Sequence, residues 1–474
     1  MLKDFFITKS TSKLSNIIKT YTILLPDTII KCPMNLKRIL TFSALALTSY
    51  STAATDISLD SIKKDITFLA HDDLKGRASF TVEAEQAADY IAQRFKNIGL
   101  LPYKGTFKHT FPVYVRQVTQ VDVALNGKVV ADKHLAIVTT AKNVSWHQGN
   151  TNVSTHRVAA EDSLGEKLSE LNLQGGNHLV LVDVAHEKMF GRYKHYFERP
   201  KTSLSDDNTG TLVLALTKED QANHFLISAQ SQTEKKKLTN VSGLLPGRSK
   251  DYEVVLFSAH YDHIGMLQQD EEGAKKTDVI FNGADDDASG TTAVINLAQH
   301  FKDKNDNERS LMFVAFAAEE IGGFGSQFFS KQLPVKNIMA MINLEMIGKP
   351  SKFGHGKVWM TGIERSDLGD IMNDALKPHD TEIFADPYPK QKLFYRSDNA
   401  TLARLGVPAH SFSSTQLDKD PHYHKVSDEV STLDLESMKK VIDTIARAVE
   451  PIVAAEATPS RLDATQVNAK GKIF

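Results

Sequence analysis

From residue 57 onward, short apolar runs alternate along the chain with segments of helical period. Ala88, Ile91, Ala92 and Phe95 recur at helical spacing and Gly99 supplies a stop, which predicts a helix near the start of the globular part. YEVVLFSA (252–259), LMFVAFAA (311–318) and IMAMINLEM (338–346) are nearly continuous apolar runs of strand length, as strands covered on both faces require. KVWMTG (357–362) and VPAHSF (407–412) read as further strands. Val294, Leu297, Ala298 and Phe301 mark a helix that opens after Ser289-Gly290, and Met438, Val441, Ile442, Ile445 and Val449 mark a last one. This alternation predicts an α/β fold: a mixed, largely parallel central sheet flanked by helices on both faces.

Between 113 and 239 the texture changes. VTQVDVALNGKVV alternates as a strand does, HLVLVDVA (178–185) and TLVLALT (211–217) are short apolar runs, and polar stretches separate them. A smaller β-rich insertion is expected there, dividing the main body into 55–112 and 240–455. Residues 456–474 are polar and read as a loose tail. The first 54 residues differ again. Lys37 and Arg38 precede an apolar run from Ile39 to Leu47, and Ser51-Thr52-Ala53-Ala54 follows. That is the layout of a secretory signal peptide starting at Met34 and cleaved near Ala54, and its apolar run is shorter than the roughly 20 residues of a bilayer span. The expectation is an exported protein, periplasmic or secreted.

Charge and cysteine content narrow the function. Residues 1–54 carry seven Lys/Arg and two Asp/Glu; without them 49 basic side chains face 56 acidic ones, a net charge of −7. No basic face for nucleic acid is expected. Cys32, the only cysteine, falls in the leader, which excludes disulfides and thiol chemistry from the mature chain.

Ionisable residues collect where the predicted strands end. His260 and Asp262 stand in SAHYDHIG, Asp285, Asp286 and Asp287 in NGADDDASG, Glu319 and Glu320 after LMFVAFAA, Glu345 in INLEMIG, and His422 and His424 in PHYHKVSD. Sites of parallel α/β sheets assemble at that edge. Each set alone is an ordinary surface or capping feature. Together, so many carboxylates repel one another unless a cation sits among them. Imidazoles with carboxylates suit zinc, as one ion or as two sharing a bridging carboxylate.

In this order, HYDHIG, GADDDASG, AAEEIGGFGS, INLEMIG and YHKVSD resemble the M28 metallopeptidases, the secreted zinc aminopeptidase family. LKGRASFTVEAEQAADYIAQRFKNIGL resembles the family's lead-in, so the resemblance spans about 57–112 and 240–452. It implies a zinc aminopeptidase-like fold, peptide substrates with a free N-terminus, and hydrolysis by a metal-bound hydroxide. By motif position it implies that His260 and Glu345 hold one zinc, that Glu320 and His424 hold the other, and that Asp285 bridges both, joined to Asp286 by a cis peptide. Asp262 is implied to accept a hydrogen bond from the far nitrogen of His260, Glu319 to be the general base, and Tyr395 of FYRSDN to donate to the oxyanion. His263 reads as structural, and the insertion as the counterpart of the protease-associated domain in some members. The family usually has Asp where this chain has Glu345, one methylene longer; two zinc ions are expected and one remains open. Glutaminyl cyclases on the same fold use a single zinc, carboxypeptidases use the same chemistry, and some relatives are receptor ectodomains, so these alternatives stand beside the aminopeptidase.

Overall fold

The structure, a computed structural model, describes residues 56–149, 152–267 and 278–474. The expected signal peptide lies outside them. Two helices come first, α1 (Leu59–Leu69) and α2 (Val82–Ile98). Thr81 caps α2 by accepting from the Ala84 N–H, and Gly99 ends it at φ 83°, a conformation that favours glycine.

The apolar runs form the centre of a mixed sheet. Its principal strands are β1 (Lys108–Leu125), β2 (Phe225–Leu245), β3 (Lys250–His260), β4 (Arg309–Phe316), β5 (Ile338–Leu344), β6 (Val358–Met360), β7 (Ile383–Ala385) and β8 (Ala409–Ser413). They lie in the order β7-β6-β8-β5-β3-β4-β2-β1. The four central strands, β8, β5, β3 and β4, run parallel. Both flanks join them antiparallel, β6 on one side and β2 on the other.

Side chains alternate across this sheet with period two. Val255, Phe257 and Ala259 face α1, α2, α3 (Gly290–Lys304), α5 (Leu368–Leu376) and α6 (Leu435–Ala448). Val254, Leu256, Met312 and Val314 face the opposite way, toward Phe329 of α4 (Phe324–Ser330) and Leu402. Phe257 is fully buried between Phe301 and Phe313, with ring centroids at 5.5 and 5.2 Å. Burying such a side chain contributes about 1.5–3 kcal/mol. Register decides where the site forms: His260 pairs with Phe316 and Ser258 with Asn343, so three strands end together at one edge.

β1 and β2 run on beyond the main sheet as one antiparallel ribbon, from Lys108 opposite Val241 to Leu125 opposite Phe225. Both expected boundaries of the insertion fall inside this ribbon. The insertion has its own sheet of strands Leu135–Thr139, Val153–Val158, Gly176–Val182 and Gly210–Leu216. Helices Leu164–Gln174 and Glu187–Glu198 accompany it. The second helix buries only Phe190 and Phe197 in a charged stretch, too sparse a pattern to stand out in the sequence.

The tail is not loose. Leu462, Val467 and Ile473 are buried, the first two against the sheet face shared with Phe329 and the third in the insertion's core. Three apolar anchors in a polar stretch are enough to dock it.

Candidate metal centre

Two devices bring the strand-end loops together. Arg77, in the segment LKGR, is fully buried, and its guanidinium donates to the carbonyls of Leu69, Tyr261, Asn282 and Gly283. It thereby ties the His260–His263 loop to the turn carrying the three aspartates. Burial lowers Arg77 to about 10, against the pull of Asp262 and Asp286, so it stays charged at neutral pH. Sequence reading missed this role, because a single arginine beside Lys75 in LKGR carries no mark of burial. Replacing Arg77 with Met leaves four carbonyls without this donor, each costing about 1–3 kcal/mol. Denaturant unfolding of the variant is expected to show a loss of at least about 3 kcal/mol; a change under 1 kcal/mol would refute the clasp.

The second device is Asp262. Its carboxylate accepts from the Glu319 N–H at 3.1 Å and from Ser79 Oγ at 3.0 Å. The expected partnership with His260 is different in detail: Nδ1 of His260 meets the backbone carbonyl of Asp262 at 3.1 Å, and the carboxylate lies 3.9 Å away. Asp262 thus holds the backbone of the Glu319 turn, and its main chain orients the imidazole.

The three aspartates divide their work, one residue out of the expected register. Asp286 stands between the histidines, with Oδ1 3.3 Å from His260 Nε2 and Oδ2 3.1 Å from His424 Nε2. Asp285 faces elsewhere: it accepts from the Gly348 N–H at 2.8 Å and Thr415 Oγ1 at 2.6 Å, with Lys349 Nζ at 3.6 Å. Asp287 accepts from three backbone N–H groups, those of His260, Gly290 and Met346. The position between the histidines therefore belongs to Asp286, and the cis peptide joins Asp286 to Asp287. Asp285 is corrected to a residue that fixes the loop after β5. Gly290 is required for this arrangement, since a Cβ there would come within 2.5 Å of both Asp287 carboxylate oxygens.

Around Asp286 the other groups fall into two sets. Glu345 Oε1 is 3.5 Å from His260 Nε2, and its Oε2 accepts from Ser397 Oγ at 2.6 Å. Glu320 Oε2 is 3.7 Å from His424 Nε2. His263, expected to be structural, stands beside the second set: Nδ1 is 2.7 Å from Glu320 Oε1 without hydrogen-bond alignment. Burial lowers it to about 4, so it is neutral. Glu319 Oε2 lies 4.0 Å from His260 Nε2. His422 turns away to Ser427 Oγ at 2.9 Å.

The electrostatics ask for a cation. Burial and the charge of Glu345 push Asp287 well above the usual carboxylate range, burial and neighbouring Glu345 do the same to Glu319, and burial with Asp286 raises Glu320 to about 8. Burial disfavours the charged form of His260, yet Glu345, Asp286 and Glu319 outweigh it and hold the imidazole well above its ordinary value. Both ring nitrogens of His263 and Glu320 Oε1 are buried without a hydrogen-bond partner. Divalent zinc takes imidazole nitrogen and carboxylate oxygen together, and it would relieve the mutual repulsion of these acids. The residues fit such an ion.

Beside the carboxylates a cavity of about 70 Å³ opens, lined by Asp286, Glu319, Glu345 and His424 together with Trp359, Leu393 and Leu417. Tyr423 lines it, its hydroxyl accepting from Arg396 Nη2 at 3.1 Å. Tyr395 does not: it packs edge-on against Phe394, under Arg365. The tyrosine at the site is thus Tyr423, next in sequence to His424, and adjacency to a candidate ligand was the signal that pointed to it.

Residues 240–449 match Peptidase family M28. Leucine aminopeptidase 1 of Emericella nidulans is 28% identical over 204 residues, 41% of this chain and 50% of the relative. The chain spans about half the length of the curated relatives it matches. Two solved structures share its fold. The aminopeptidase from Aneurinibacillus sp. strain AM-1 has a TM-score of 0.51 at 17% identity, covering 88% of this chain and 97% of its own. BSAP, a zinc aminopeptidase from Bacillus subtilis, has a TM-score of 0.51 at 16% identity, covering 88% and 99%.

Proposed function

Because residues 240–449 match Peptidase family M28, we propose that the chain is an exported zinc aminopeptidase that removes N-terminal residues from peptides. The observation that carries this reading is Asp286 reaching both His260 and His424, with Glu319 and a cavity beside them. His260, Glu345 and Asp286 would hold one zinc, and Asp286, Glu320 and His424 the other. His424 is favoured over His263 as the second imidazole because it borders the cavity and is 40% exposed. Bound zinc would supply Lewis-acid polarisation of the scissile carbonyl and acidify a water molecule.

The remaining steps fall to the chain itself. Glu319, its backbone pinned by Asp262, takes a proton from the attacking water and returns it to the leaving amine. Tyr423 is at hand to donate to the oxygen that gains charge. The carboxylates lining the cavity attract a free α-ammonium, and Trp359, Leu393 and Leu417 receive an apolar first side chain. Among the described residues no helix is long and apolar enough to cross a membrane, which is compatible with export.

The test is zinc content and turnover of protein recovered from the exported fraction, starting near Thr55, on aminoacyl anilides with N-acetylated controls. About two zinc ions per chain, cleavage of free-amine substrates only, and loss on chelation with recovery on zinc addition are expected. One zinc, inert anilides and cyclisation of an N-terminal glutamine peptide would replace this reading with a glutaminyl cyclase.

A further inference from the structure

The two glutamates at the end of β4 leave from a turn that is not held by its own sequence alone. Ala318, Gly322 and Gly323 adopt φ of 62°, 130° and 66°, a region that disfavours side chains at Ala318 in particular. Inside the turn the N–H groups of Gly322 and Gly323 both donate to the Glu319 carbonyl. Outside it, the Gly322 carbonyl accepts from Gln327 Nε2 at 2.7 Å and from Lys470 Nζ at 2.8 Å. Lys470 belongs to the tail, and its ammonium also lies over the Phe324 ring at 5.2 Å. Desolvation and the nearby Arg404 lower Lys470 to about 8, while buried Asp398 and Glu319 act in the opposite sense.

The tail that brings Lys470 is fixed on both sides. Before it, Arg365 and Arg404 donate to the carbonyls of Gln466 and Asn468, and Val467 is buried against the main sheet. After it, Asn172 of the insertion receives the N–H groups of Lys472, Ile473 and Phe474, the first on its carbonyl and the others on Oδ1. Thr209 Oγ1 donates to the Lys472 carbonyl at 2.6 Å. Gly471 is fitted to this seat, since a Cβ would fall 2.0 Å from Asn172 Nδ2. The Phe474 ring packs against Phe197 at 5.1 Å. Residues 466–474 therefore form a strap from the main body, past the turn, to the insertion.

We propose that Lys470 is a positioning residue for Glu319, delivered by this strap and dependent on its anchorage in the insertion. The proposal rests on the peptidase reading above. Its action is to hold the Gly322 carbonyl, and with it the turn whose N–H groups donate to the Glu319 carbonyl, in the conformation that aims the Glu319 carboxylate toward His260.

The test compares the full-length parent with Lys470→Ala, Lys470→Arg and Asn172→Ala on one anilide substrate, with zinc content and melting temperature measured alongside. Lys470→Ala should lower kcat about tenfold, with KM, zinc content and melting temperature unchanged. Arginine at 470 should restore most of it, and Asn172→Ala, remote in sequence, should reproduce part of the loss. Parent-like kcat in Lys470→Ala overturns the proposal, as does a loss that follows falling zinc content or melting temperature. Parent-like kcat in Asn172→Ala overturns the role of the strap. An inactive parent would instead count against the peptidase reading.

Discussion

Glu319→Gln is expected to retain its zinc and to lose turnover by about 10²- to 10⁴-fold, the usual contribution of a positioned acid–base group. The substitution preserves shape and hydrogen-bonding reach and removes only the ability to carry the proton. Glu319 is suited to that task because it borders the cavity and because Asp262 fixes its backbone. The other acids near His260 are committed elsewhere: Asp287 to three backbone N–H groups, and Glu345 to Ser397. Zinc per chain by atomic emission, with kcat on an aminoacyl anilide, decides the matter. Near-parental turnover would remove Glu319 from the mechanism, and loss of zinc would make it a ligand instead of a base.

The second large effect separates two neighbouring aspartates. Asp286→Asn is expected to abolish activity and to empty at least one zinc position, because a single carboxylate touches both His260 and His424 and the neutral amide offers only one ligating oxygen. Asp285→Asn is expected to keep its zinc and most of its activity. Its cost is to folding, about 1–3 kcal/mol, from weakened contacts to Gly348, Thr415 and Lys349. Zinc analysis and thermal melting of the two proteins side by side distinguish the residues. The opposite pattern, with Asp285→Asn losing metal and Asp286→Asn keeping it, would restore the sequence-based register.

That register shows where sequence reading ends. The strands and their order of chemistry were visible, because LMFVAFAA and its counterparts are nearly continuous apolar runs with ionisable groups at or just past their ends. Which of three identical adjacent aspartates turns toward the histidines was not. The answer depends on partners that come from far away: Gly348 and Thr415 claim Asp285, while His260, Gly290 and Met346 claim Asp287. Tyr395 and Tyr423 pose a related difficulty: Tyr395 ends a short turn, Leu393–Tyr395, that packs against the core, while Tyr423 reaches the cavity beside His424, and the tertiary path of the chain decides between them. The tail was misread because three buried side chains among polar neighbours carry no periodic signal, and its partners lie in the insertion and the main body.

The ribbon of β1 and β2 sets how the insertion is held. A paired ladder resists stretching and shear, because either displacement breaks many hydrogen bonds at once, and two short strands, Asn143–His147 and Lys201–Ser203, pair along its edges and brace it further. The register slips between Gln230 and Ser231, where such an irregularity bends the strand and increases the local twist. The insertion is therefore joined to the main sheet through a continuous hydrogen-bonded ladder and not through a flexible linker. The strap ending at Asn172 is a second tie between insertion and main body, and it runs past the Gly322 carbonyl, which Lys470 holds.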